Sequence, residues 1–545
     1  MEISNPILPG FNPDPSIIKV NDTYYIATST FEWYPGVQIH KSKNLKNWQL
    51  IQHPLVRDSQ LNMLGSTYSM GVWAPCLSYD SGTFYLIYTN AKQAGITHNY
   101  LVTTTDIEGI WSDPIYLHSR GFDPSLFHDD NGKTWLLSMY FDHLPWSMFV
   151  DLNKNLIKNK ANTRILEQYN ILKKEKPLFK GIIIQEYDKK IKKLIGKPKK
   201  IFNGSKIGIT EGPHLYKKNG YYYLLTAEGG TSYGHCVTLA RSKQLLGKYE
   251  IHPKNPIMRA EKHDYLQKTG HADILMTEDI MVYLCSRPLD TKNKKGSILG
   301  RETAICKVSW DKNNWLNVKN KKLISPKSNR SKTNPMIEKT LLYDDFTSTK
   351  LNTHFQWLRG DIFNEIASLQ ARPNYLRLLG KEMITSNFKQ SLIATRQISF
   401  SYEATTVIEF EPNNENQMAG LSAFYCNELF YYAYIGYDQK IGKFLSIMTN
   451  DLGDINLFQT PPIPISEYRI YLKAKVDHQS LQFYYSLNEE NWFKLGIELD
   501  MFKLSDEYSS GFTGAFIALA CQDPIGMKKH ADFDYLKINF FYNKN

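Results

Sequence analysis

The chain has 545 residues, of which 42% are hydrophobic and 13% aromatic, with a formal net charge of +11. That length exceeds one ordinary core and predicts two domains of globular composition. Much of the charge excess lies in 173–200 and 292–332, where Lys alternates with Asn, Ile and Leu; Arg, Gly and aromatics are not interleaved there, which argues for a solvated surface and against a nucleic-acid partner.

The N-terminus, Met1-Glu-Ile-Ser-Asn-Pro, carries neither a basic nor an apolar leader region, and no apolar run is long enough to span a membrane. Six widely spaced cysteines (Cys76, Cys236, Cys285, Cys306, Cys426, Cys521) show no CxxC or metal-ligand spacing. A cytoplasmic protein with reduced thiols and no membrane partner is expected.

From the N-terminus onward one unit recurs five times: an apolar strand, a Gly/Asn/Asp turn and an aromatic strand. The first copy reads Asp14-Pro-Ser-Ile-Ile-Lys-Val-Asn-Asp-Thr-Tyr-Tyr, and the others occupy 74–85, 123–135, 212–223 and 272–283. Each predicts a hairpin, and the Pro opening four of them fits a strand's first residue, where no ladder bond is lost. Further turn-and-strand elements follow at 42–48, 105–111 and 242–249. Together these make four-stranded blades, and five copies predict a five-bladed β-propeller over 1–310.

The interval between the third and fourth units is the longest, and the stretch around 151–180 reads as a surface insertion. Residues 311–338 are polar and Lys/Asn/Ser-rich, as a linker would be. From 339 to 545 the text alternates, as in Ala404-Thr-Thr-Val-Ile-Glu-Phe-Glu, and predicts a β-sandwich. The fold class is therefore all-β.

In a propeller the innermost strands start at one rim of the central channel, so matched repeat positions converge in space. The residue before the Pro-equivalent is Asp14, Ala74, Asp123, Gly212 and Ala272; two before it stand Pro13, Trp73, Phe122, Glu211 and His271. Three carboxylates, a Trp and a His would ring one mouth. Singly, each has an ordinary structural reading, since Asp-Pro is common in turns. As a set they suit glycoside hydrolysis, which needs one carboxyl held protonated and another ionised; crowded like charges raise one pKa.

Asn12-Pro-Asp-Pro-Ser, Gly71-Val-Trp-Ala-Pro, Gly121-Phe-Asp-Pro-Ser-Leu-Phe, Ile209-Thr-Glu-Gly-Pro-His-Leu-Tyr, Thr226-Ala-Glu-Gly-Gly, Leu299-Gly-Arg-Glu-Thr-Ala-Ile, Gly511-Phe-Thr-Gly-Ala-Phe and Cys521-Gln-Asp-Pro resemble the β-xylosidases of glycoside hydrolase family 43. The resemblance runs through both halves and implies a five-bladed propeller followed by a concanavalin-like sandwich. It implies an inverting reaction with Asp14 as general base, Glu211 as general acid and Asp123 tuning and orienting the acid.

It further implies that Phe31 and Trp73 wall the sugar pocket and that Arg301 serves the terminal-sugar subsite. Phe512 would be lent by the second domain, closing the site to all but short substrates. His271 stands on the ring as a satisfied histidine or beside a cation; no cofactor is otherwise implied, and the metal question stays open. A homo-oligomer, dimer or tetramer, is implied. The expected function is exo-release of xylose from short β-1,4-xylo-oligosaccharides, with an α-L-arabinofuranosidase or an inactive sugar-binding propeller as alternatives. The long stretch before Glu211 departs from the family's pattern.

Overall fold

The structure, a computed structural model, describes residues 3–93, 96–141, 179–291, 294–319 and 337–543. The insertion read around 151–180 lies outside them up to residue 178.

Five antiparallel blades form as the repeats predict. Their inner strands are Ser16–Val20, Gly71–Asp80, Ser125–His128, Glu211–Lys218 and Gln267–Leu275, each paired with the aromatic strand that follows it. These five contact one another in cyclic order, and the first meets the fifth. Asp273 fastens that closure by accepting from Ser16 Oγ at 2.9 Å and the Ile17 amide at 2.8 Å. Asn5 also exchanges two hydrogen bonds with the backbone of Ile305, on the last blade.

Two sequence expectations change here. Pro15 and Pro124 do precede their strands, but Pro75 and Pro213 lie inside Gly71–Asp80 and Glu211–Lys218. The register shifts around them, between Trp73 and Cys76 and between Glu211 and His214, because a bulge leaves one residue out of the ladder and so tolerates a missing N–H.

Second, the stretch 311–319 is not linker. Leu316–Val318 pairs with Glu302–Trp310 as the last blade's fourth strand. The polar run is turn chemistry: the Asp311 carboxylate accepts from the Asn313 and Trp315 amides. The boundary drawn at 310 therefore falls inside a hairpin, while 320–336 lie outside the described residues.

The second domain is a sandwich of two antiparallel sheets. One is centred on His530–Asn543 and Ser401–Glu409, the other on Phe516–Gln522 and Met418–Cys426. Alternation does what the pattern predicts: in Arg469–Asp477, Ile470, Leu472, Ala474 and Val476 are buried while Lys473 and Lys475 turn outward.

The domains share structure as well as surface. Trp33–Tyr34, from the first blade, pairs with Trp357–Leu358, and Arg396 of the sandwich donates to the Phe11 carbonyl at 2.7 Å. Trp33 is fully buried and stacks on Phe516, with centroids 3.8 Å apart and planes at 18°. Trp33→Ala should cost about 3–5 kcal/mol of stability, read as a lower denaturation midpoint. An unchanged midpoint would mean that the interdomain seam is carried elsewhere.

Candidate active site

A shared left-handed backbone at the strand starts marks the ring. Asp14, Ala74, Asp123, Gly212 and His271 all take positive φ, at 55°, 38°, 53°, 55° and 39°. For the four non-glycine residues this is a strained conformation, and such strain gathers at functional sites. The common backbone shape makes His271, rather than Ala272, the fifth blade's counterpart of Asp14, one residue earlier than the sequence alignment of the repeats put it. Ala272 is the Pro-equivalent, and the fifth copy lacks the proline that would have fixed its register.

Asp14 is buried; its Oδ2 accepts from Ser29 Oγ at 2.7 Å. Its Oδ1 lies 3.6 Å from Arg301 Nη1 and 3.7 Å from His271 Nδ1. Burial alone would raise this carboxyl, but Arg301, His271, Ser29 and His235 outweigh it and hold Asp14 below the ordinary carboxylate value. His271 is itself pushed down to about 4 by burial, so its ring is neutral at pH 7.

Glu211 opens its strand and remains partly accessible. Burial and the Asp14 charge push it up, to about 7, against the pull of Arg301. Asp123 is also driven well upward, by burial first and then by Glu211 and Asp14. It accepts from the Gly212 amide at 3.0 Å, which ties it to the backbone next to Glu211. The repulsion between two such carboxyls is reciprocal, so Asp123 bears on the charge of Glu211 as well as fixing where its backbone stands. One carboxyl is thus held low and its counterpart raised to about neutrality in a single mouth, the division that acid–base catalysis requires.

Aromatic rings wall this mouth. Phe31 lies 6.2 Å from Trp73 and 6.1 Å from Phe512, centroid to centroid, and Trp73 meets Phe122 edge-on at 5.5 Å. The Arg301 guanidinium sits 4.9 Å from the Phe31 ring and 4.8 Å from Phe512. It donates to Thr231 Oγ1 at 3.1 Å and to the Phe512 carbonyl at 3.3 Å, which leaves Nη2 buried without a partner among the described residues. All eight residues singled out in the sequence therefore converge.

Phe512 arrives from the sandwich on a strap, 505–514, secured at several points. Glu507 takes Lys268 Nζ at 2.8 Å, the Ser297 amide at 2.6 Å and Tyr233 Oη at 2.8 Å. The Phe512 amide donates to Ser69 Oγ at 3.0 Å. Sequence reading missed Ser29, Ser69, Thr231 and His235. Thr231 directly follows the 226–230 motif and Ser29 lies two residues before Phe31, but His235 occupies no repeat position and had no sequence signal. Among the described residues no group of three His, Cys, Asp or Glu side chains could hold a metal ion.

A propeller mouth with carboxyls of divided ionisation and an aromatic wall of the kind that takes the C–H face of a sugar ring defines a glycoside hydrolase. The chain belongs to glycosyl hydrolases family 43, whose model matches residues 3–316; the beta xylosidase C-terminal concanavalin A-like domain matches 343–539. It is 44% identical over 563 residues to a beta-xylosidase of Bacillus subtilis (strain 168), covering 98% of this chain and 99% of the relative. It is 42% identical over 557 residues to xylosidase/arabinosidase 43B of Humicola insolens, covering 98% and 97%. The crystal structure of xylan beta-1,4-xylosidase from Bacillus halodurans C-125 matches with a TM-score of 0.87 and 43% identity, covering 98% of this chain and all of that one.

Proposed function

We propose that the protein is an exo-acting β-xylosidase that releases xylose from the non-reducing end of short β-1,4-xylo-oligosaccharides with inversion. The observation that carries this reading is the divided ionisation of Asp14 and Glu211 in a mouth that Phe512 helps to wall. Asp14 takes a proton from water as the water oxygen bonds to the anomeric carbon. The glycosidic C–O bond breaks, and the Glu211 proton passes to the departing oxygen. Asp123 holds the acid's backbone through Gly212, and the unpartnered Nη2 of Arg301 offers a donor to a sugar hydroxyl.

The Humicola insolens relative, named a xylosidase/arabinosidase, favours a second reading in which terminal α-L-arabinofuranose is also cleaved. A proton NMR time course with xylobiose tests the first. α-Xylose should appear before its β-anomer; β-xylose first, or no release while an aryl arabinofuranoside is cleaved, would overturn it.

A further inference from the structure

The hydrogen-bonding of Glu211 is unexplained by the roles above. Among the described residues no hydrogen bond to its carboxyl is present, although a general acid must be held at a defined angle to its leaving group. The polar atom facing it is His235 Nε2, 3.9 Å from Glu211 Oε1. The His235 side chain is only 1% exposed, and that nitrogen has no hydrogen-bond partner among the described residues.

The other ring nitrogen settles the tautomer. His235 Nδ1 lies 3.0 Å from the Lys268 carbonyl, and a carbonyl only accepts, so Nδ1 carries the hydrogen and a neutral ring leaves Nε2 as a lone pair. Burial keeps the ring neutral by pushing its pKa down to about 3.

This placement is built. Lys268 holds a left-handed φ of 55°, and its Nζ is committed to Glu507 of the sandwich. Gly270 lets the imidazole lie against the backbone, because a Cβ there would come within 2.4 Å of Nδ1, Cε1 and Nε2. The other ionisable groups that bear on Glu211 and His235 are Asp14, Asp123, Arg301 and His271.

We propose that His235 is a positioning residue for the acid: its ring, fixed in one tautomer by the Lys268 carbonyl, presents a bare Nε2 that accepts a hydrogen bond from protonated Glu211 in the resting site. The 3.9 Å separation exceeds a hydrogen bond and closes when the otherwise unanchored carboxyl swings toward the ring. A neutral acceptor favours the protonated carboxyl, so His235 lifts the basic limb of the pH profile. Through Lys268 and Glu507, the sandwich domain secures the acid as well as the pocket wall. The inference rests on Glu211 being the acid.

His235→Phe keeps a ring over Gly270 and removes the acceptor. The basic limb of kcat/KM should move to lower pH by about one unit, and turnover of xylobiose at pH 7 should fall roughly tenfold. The loss should be smaller for 2,4-dinitrophenyl β-xyloside, whose leaving group needs no proton. His235→Gln, with a carbonyl oxygen reaching about as far as Nε2, should return the limb toward its original position.

An unmoved limb in His235→Phe, with equal losses on both substrates, would overturn the proposal, as would a Gln variant behaving like Phe. If the Phe variant does not fold, nitrogen-15 NMR of the intact protein decides. His235 Nε2 should resonate as an unprotonated nitrogen and shift as Glu211 titrates; a protonated Nε2, or one indifferent to that titration, would remove the idea. Failure of the acid assignment itself would show separately, as undiminished xylobiose turnover in Glu211→Gln.

Discussion

Asp14→Asn should lower kcat on xylobiose by roughly 10³- to 10⁴-fold, a loss of about 4–5.5 kcal/mol of transition-state stabilisation. Asn is the informative replacement because Asp14 sits at a φ of 55°, which Asn tolerates better than other non-glycine residues, and because its amide oxygen can still accept from Ser29 Oγ. The fold should persist while the base is lost. A second measurement isolates the chemistry: azide is already ionised, so it should partly restore turnover of 2,4-dinitrophenyl β-xyloside by attacking the anomeric carbon as the aryloxide leaves. The expected product is α-xylosyl azide. Near-normal hydrolysis in the Asn variant, or rescue that yields only the β-azide, would remove Asp14 from the role of base.

Glu211→Gln should produce a loss of similar size on xylobiose and a far smaller one on the dinitrophenyl substrate, since dinitrophenolate departs without a proton. The pH profile carries the sign. Glu211 must be protonated to act, and its pKa is pushed up to about 7, so the wild-type kcat/KM should fall as pH rises through that region. Asp14 must be ionised, and its pKa is held low, so the acidic limb belongs below the usual carboxylate range. In Glu211→Gln the basic limb should vanish, because the group that titrates is gone. Equal losses on both substrates, or a limb that survives the substitution, would assign the proton donor elsewhere.

Much of the architecture was legible because its signals are local. Turn residues between an apolar and an aromatic strand mark each hairpin, and repetition turns five weak signals into one strong one. The same repetition exposed the site, since residues at matched positions meet at the channel mouth whatever lies between them in sequence. Asp14, Trp73, Asp123 and Glu211 were found this way. The fifth blade shows the limit: without a proline to mark it, the alignment slipped by one, and only the left-handed backbone at His271 corrected it. At 311–319 a polar composition suggested a linker because turns and linkers use the same residues, and only strand pairing tells them apart.

What the sequence determined by itself was therefore the list of chemical groups, the fold that gathers them and the family that uses them. Tertiary structure decided their states. Three carboxyls identical in kind become one held low and two pushed up because Arg301 lies 3.6 Å from Asp14 while burial dominates at Glu211 and Asp123. The burial of His235 beside Glu211, the Lys268 carbonyl that sets its tautomer and the strap that carries Phe512 across the domain seam all join residues remote in sequence. Desolvation and Coulomb interaction depend on distance in space and on exclusion of water, and neither leaves a trace in the spacing of residues along a chain.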